Sequence, residues 1–88
     1  RTLVNNYSAV YHWKGKRADL KPVLMYAHID VVPIEEVNRS EWDVEPFAGE
    51  VKDGFVWGRG TLDDKGSAVA MLEAVERLLQ AGFTPVRD

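Results

Sequence analysis

The stretch "PVLMYAHIDVVP", residues 22–33, decides how this chain is read. Its first half is a near-continuous apolar run, the kind that forms a strand covered on both faces of a sheet. Its second half breaks the pattern, because His28 and Asp30 close the run with polar side chains. Residues i and i+2 of a strand share a face, so the imidazole and the carboxylate point the same way at the strand's end. Buried polar groups need partners, so that end must face something that receives them. On the residues alone two readings stay open: a metal ligand with its orienting carboxylate, or a hydrogen-bonded pair that finishes the strand. A lone H-x-D does not choose between them.

Working outward, residues 7–13 ("YSAVYHW") alternate and are rich in β-formers, which predicts a strand. The charged, glycine-containing "KGKRADLK" that follows suits a connection. Residues 31–49 carry two prolines and the polar tract "NRSEWD" without a clean period; an irregular stretch of that length is usually functional. Residues 48–60 ("AGEVKDGFVWGRG") predict a short hairpin turning at Asp53-Gly54. From 65 to 81 the pattern becomes helical, with Ala68, Val69, Leu72, Val75, Leu78 and Leu79 on one stripe. Gly82 is placed to end that helix and Pro85 prevents its continuation. The order predicts an α/β fold, a mixed sheet with a helix packed on it.

Eighty-eight residues make at most one small domain. A chain of that size buries only about 60–65 % of the surface its unfolded form exposes, which leaves a thin stability margin. The net charge of −3 leaves no basic patch, so no nucleic-acid partner is expected. No apolar stretch reaches the roughly 18–20 residues of a membrane span, and no signal-peptide pattern opens the chain. The absence of cysteine excludes disulfides and thiolate metal sites. The chain starts at Arg1, and its closing "TPVRD" reads like the start of another strand, as in a piece of something larger.

A second group of chemistry-bearing residues is "GRGTLDDKG", residues 58–66. The spacing fails both nucleotide-loop patterns: no third glycine follows at the dinucleotide interval, and the order Lys65-Gly66-Ser67 is not the Walker order. Phosphate is also repelled by paired aspartates, whereas a cation gains hard oxygen ligands from them. The plainer reading makes Asp63 or Asp64 the helix N-cap. Trp42, Phe47 and Trp57 could line a substrate pocket, but packing a long loop onto a small core is the favoured reading. His12, between aromatics and with no acidic neighbour in register, is read as structural.

Taken together, "HIDVVP" and "WDVEPFAGEVKDGFVWGRGTLDDKG" with a helix behind are far more specific than either piece. They resemble the zinc-dependent metallopeptidase and amidohydrolase family of aminoacylase, carboxypeptidase S, succinyl-diaminopimelate desuccinylase and carnosinase-type dipeptidases. Thr61 in "GRGTLDDKG" is most similar to the carboxypeptidase S and N-acyl amino acid hydrolase branch. The likeness runs over roughly residues 23–83 and implies that residues 1–88 are the N-terminal portion of a zinc-peptidase-like catalytic domain. Carried over position by position, it implies His28 as a zinc ligand and Asp30 as the catalytic-set residue that orients it. It implies Asp63 as the carboxylate bridging two zinc ions, Asp64 as its support, and a cis peptide between them. Cobalt is a possible substitute for zinc.

The resemblance also implies the reaction: water activated by metal attacks the amide of a peptide or N-acyl amino acid, while a glutamate shuttles the proton. That glutamate and the remaining ligands belong to later parts of such a chain, so the isolated segment is expected to be inactive and to need the rest of its parent. The competing expectation is a stand-alone α/β interaction module with no metal site. Convergence of His28, Asp30 and Asp63 favours the first; scatter over different faces favours the second.

Overall fold

The computed structural model describes all 88 residues, Arg1–Asp88. The α/β class expected from the sequence holds, with four short strands and one helix. The strands fall in two separate antiparallel hairpins. Two compact units divide the chain: Arg1–Met25 with Val75–Asp88, and Tyr26–Ala74.

In the first unit, β1 (Thr2–Val4) pairs with β2 (Ser8–Val10), Thr2 opposite Val10. Asn5 and Asn6 turn the chain with φ of 53° and 62°, the left-handed region that asparagine tolerates best among residues with a Cβ. Only the middle of the strand expected over residues 7–13 finds a ladder partner. Beyond it the backbone runs against the last residues of the chain. Lys16 N–H donates to Pro85 O at 3.0 Å, Arg17 N–H to Val86 O at 2.8 Å and Val23 N–H to Asp88 O at 2.8 Å. The Asp88 carboxylate closes the arrangement, accepting from Gly15 N–H at 2.7 Å and meeting His12 Nε2 at 2.6 Å. His12 is structural, as expected, but its acidic partner comes from 76 residues away.

The helix α1 (Ser67–Gln80) crosses from the second unit into the first. It matches the expected 65–81 within two residues at each end. Its C-terminus closes as a Schellman motif: Phe83 N–H reaches Leu78 O at 2.9 Å and Gly82 N–H reaches Leu79 O at 3.0 Å. Gly82 carries the left-handed φ of 71° that this motif demands. Phe83 then meets Trp13 edge to face, centroids 5.9 Å apart.

In the second unit, β3 (Glu50–Lys52) pairs with β4 (Phe55–Trp57) through Asp53 and Gly54. Both turn residues have positive φ, 54° and 81°, as a two-residue type I′ hairpin requires. The irregular stretch before the hairpin holds one 3-10 helix, Glu36–Glu41, whose Arg39 bridges Glu36 and Glu45. Pro46 has the largest fully buried side chain, and its carbonyl accepts from Arg59 N–H at 2.6 Å.

One expectation is not met. Residues 23–29, expected as a buried strand, belong to neither sheet, and Leu24 and Tyr26 are 84 % and 85 % exposed. A strand exists through its ladder, and here the run meets no neighbouring strand. No apolar side chain is buried anywhere in the chain, so the helical stripe has no core to face. On α1 the half-buried positions are Ala68, Met71 and Val75; Val69, Leu72, Leu78 and Leu79 stay exposed.

The Asp88 tether has a pH signature. The Gly15 N–H bond, and then His12, lower the Asp88 pKa below its ordinary 3.8. A depressed folded-state pKa contributes stability above the unfolded value and loses it as pH falls through the folded one. Equilibrium unfolding followed between about pH 5 and pH 2 should therefore show a steeper acid loss for the native protein than for Asp88→Asn. Identical acid limbs would contradict the tether.

Candidate functional site

Gly60 starts the site. It is buried, with φ of 86°, and Lys65 N–H reaches back to its carbonyl at 3.0 Å. That bond spans the wide turn Thr61–Gly66, inside which Asp63 (φ −116°, ψ 98°) and Asp64 (φ −136°, ψ 18°) leave helical geometry. The peptide between them is cis, as the resemblance implies. The two carboxylates part company there. Asp64 is half-buried; its carboxylate takes a hydrogen bond from the Ser67 side chain and accepts His28 N–H at 3.3 Å. Ser67 first, and His28 second, hold its pKa below the ordinary carboxylate value. Asp63 stays 83 % exposed and turns toward the His28 ring.

His28 Nε2 lies 3.2 Å from Asp63 Oδ1, across 35 residues of sequence. Its other nitrogen, Nδ1, is 3.0 Å from the carbonyl oxygen of Asp30 and 3.4 Å from the Asp30 carboxylate. Hydrogen bonding therefore assigns the proton to Nδ1, with Asp30 as acceptor. In that tautomer Nε2 and Asp63 Oδ1 direct lone pairs at each other, which is unfavourable unless a proton or a cation stands between them. In the free protein a proton can serve. The Asp30 carbonyl first, then the Asp63 and Asp30 charges, raise the His28 pKa above 6.5.

The side chains singled out in the sequence thus converge: His28, Asp30 and Asp63 line one cavity of about 250 Å³. They supply a pair of donor atoms at hydrogen-bonding distance, and no group of three or more His, Asp or Glu forms a closed metal cage. Neither aspartate acts as a simple helix cap, since their recorded side-chain bonds go to His28 and Ser67.

Two residues exceed the part expected of them. Trp42, favoured as a packing anchor, lines this cavity as well as a neighbouring one that it shares with Trp57. Phe47 lines neither and is 53 % exposed. Arg59, to which the sequence assigned no role, stacks on Trp42 with its guanidinium carbon 5.0 Å from the ring centroid, and lines the cavity too. An arginine between glycines, directly before paired aspartates, was the signal available for it.

Comparison with known proteins agrees with this layout. The family model described as peptidase family M20/M25/M40 matches residues 24–88. Probable carboxypeptidase S-like 2 of Dictyostelium discoideum is 52 % identical over 98 % of this chain and 16 % of its own length. Carboxypeptidase S of Saccharomyces cerevisiae is 45 % identical over 96 % of this chain and 15 % of its own. N-fatty-acyl-amino acid synthase/hydrolase PM20D1 of Homo sapiens is 45 % identical over 98 % of this chain and 16 % of its own. The chain therefore spans about one-sixth of the length of these relatives. No solved structure matches it.

The backbone at Gly60 is open to test against a second glycine of the same conformational class. A Cβ at Gly60 would run into Val31 Cγ1, whereas one at Gly54 (φ 81°) meets nothing within 4 Å. Gly54→Ala should cost only the left-handed strain, roughly 1–2 kcal/mol. Gly60→Ala should cost visibly more in denaturant unfolding, because it displaces Val31 or the turn that carries Asp63. Equal losses would mean that the close approach does not matter.

Proposed function

The chain belongs to peptidase family M20/M25/M40, and on that footing we propose that it carries the first part of the active site of a di-zinc amide hydrolase. The observation that carries the proposal is the 3.2 Å approach of His28 Nε2 to Asp63 Oδ1. Two donors on one tetrahedral zinc, each at its usual bond length, stand about 3.3 Å apart. The donor set fits: a neutral imidazole nitrogen and a carboxylate oxygen, with no thiolate. Asp30 sits behind Nδ1 and holds the ring in the tautomer that leaves Nε2 free to ligate. Asp63 keeps a second oxygen for a second ion, the role of a bridging carboxylate. Asp64 fixes the turn by gripping the His28 backbone and Ser67.

When bound, zinc ions supply Lewis acidity and lower the pKa of coordinated water toward neutrality. The chain's own part is positional. His28, Asp30 and Asp63 hold the ions against one wall of the cavity, and the remaining ligands and the proton-shuttling glutamate come from outside residues 1–88. Peptides or N-acyl amino acids are the proposed substrates, as the names of the carboxypeptidase S and N-fatty-acyl-amino acid hydrolase relatives suggest. Both kinds carry a free carboxylate beside the scissile amide. The convergence of three side chains favours this reading over an interaction module, in which nothing requires them to meet.

The test uses the full-length protein. Chelation should abolish hydrolysis of an N-acyl amino acid, and zinc or cobalt should restore it. His28→Ala and Asp63→Ala should lose bound metal, and Asp30→Asn should lower metal affinity or activity by about 10–100-fold. The 88-residue segment alone should bind zinc weakly and hydrolyse nothing, because a site short of ligands forfeits most of its binding free energy. Calorimetry that found tight binding of two zinc ions to the segment would refute this division of labour.

A further inference from the structure

We propose that Arg59 seats the free carboxylate of the substrate and so sets a preference for amides that stand beside one. The proposal rests on the hydrolase reading above and deepens it. Its first ground is position. The segment Gly58–Arg59–Gly60 leads from β4 directly into the turn that bears Asp63, and Arg59 lines the same cavity as His28 and Asp63.

The second ground is that Arg59 lacks the partner its neighbours have. Arg17 is paired with Asp19, and Arg39 with Glu36 and Glu45. Arg59 has no carboxylate within ion-pair distance, and its Nε is buried with no hydrogen-bond partner. A buried donor on a cationic group is left unsatisfied only at substantial cost, so its presence in a cavity points to an acceptor that arrives from outside.

The third ground is orientation. The guanidinium lies over the Trp42 ring, within the roughly 6 Å at which a cation is held by an aromatic face. Stacking occupies the flat face of the group and leaves its edge, where the N–H donors form a planar fork that matches a carboxylate with two parallel bonds. Electrostatics demand such a cation. Asp30 and Asp63 on the same cavity repel an anionic substrate, and a fixed positive charge offsets that repulsion at the point where the carboxylate must sit.

The experiment compares full-length, zinc-loaded protein with Arg59→Met and Arg59→Lys. Each is given an N-acyl amino acid and the same compound with its carboxylate converted to a primary amide. The readouts are kcat and KM on both compounds, and their affinities by calorimetry. The native protein should favour the free acid. Arg59→Met should lower the acid-over-amide ratio of kcat/KM roughly 100-fold, chiefly through the KM of the acid, with Arg59→Lys in between. Because the ratio is internal to each preparation, a partly misfolded variant does not imitate the effect. An unchanged ratio overturns the proposal, whatever the absolute rates, and would mean that Arg59 answers a carboxylate of the protein itself. If the native protein hydrolyses neither compound, the hydrolase reading fails. In that case an acid-over-amide preference in binding that vanishes in Arg59→Met still upholds the role of Arg59, and its absence removes both.

Discussion

Two atoms that would repel each other, His28 Nε2 and Asp63 Oδ1, are held 3.2 Å apart, and the second unit is arranged around that approach. The ring is fixed from behind by the Asp30 carbonyl, and its backbone is held by the Asp64 carboxylate. The carboxylate of Asp63 is presented by a turn that only a glycine at position 60 can start, with φ of 86° and Val31 against the place of a Cβ. Each of these restraints acts on one end of the pair. Together they keep open a gap of the size that a proton or a metal ion fills.

A wall of different chemistry faces the same cavity. Trp42 comes from the loop that follows the 3-10 helix, and Arg59 from the end of β4. The loop is tied to the hairpin by the bond from Arg59 N–H to the Pro46 carbonyl, so the backbone contact that brings the loop in also sets Arg59 beneath the indole. One hydrogen bond thus connects packing to site geometry. The cavity acquires a carboxylate-and-imidazole side and a guanidinium-and-indole side from segments that no local sequence pattern joins.

Apolar surface tells the complementary story. Residues 23–29 have the composition of a strand covered on both faces, yet they lie exposed because no neighbouring strand stands beside them. The relatives are about six times as long, as the 16 % coverage of their length states. A hydrophobic run needs ladder partners and a covering layer before its composition becomes a strand, and 88 residues with no buried apolar side chain supply neither.

What the sequence determined by itself is whatever depends on neighbours along the chain. The Asp53-Gly54 turn, the helix up to Gly82 and the H-x-D and D-D pairs were legible because positive φ, helical periodicity and polar interruptions are local properties. The family was legible as well, through "HIDVVP" and "GRGTLDDKG" taken together. Tertiary structure decided the rest. Only the folded chain shows which oxygen of Asp30 orients His28, that Asp64 rather than Asp63 grips the backbone, and that His12 answers Asp88. It alone set Arg59 on Trp42 and left the 23–29 run without a sheet. The physical reason is common to all of these. Hydrogen bonds, stacking and strand pairing between residues far apart depend on where backbone segments meet, and that meeting leaves no periodic mark on the sequence.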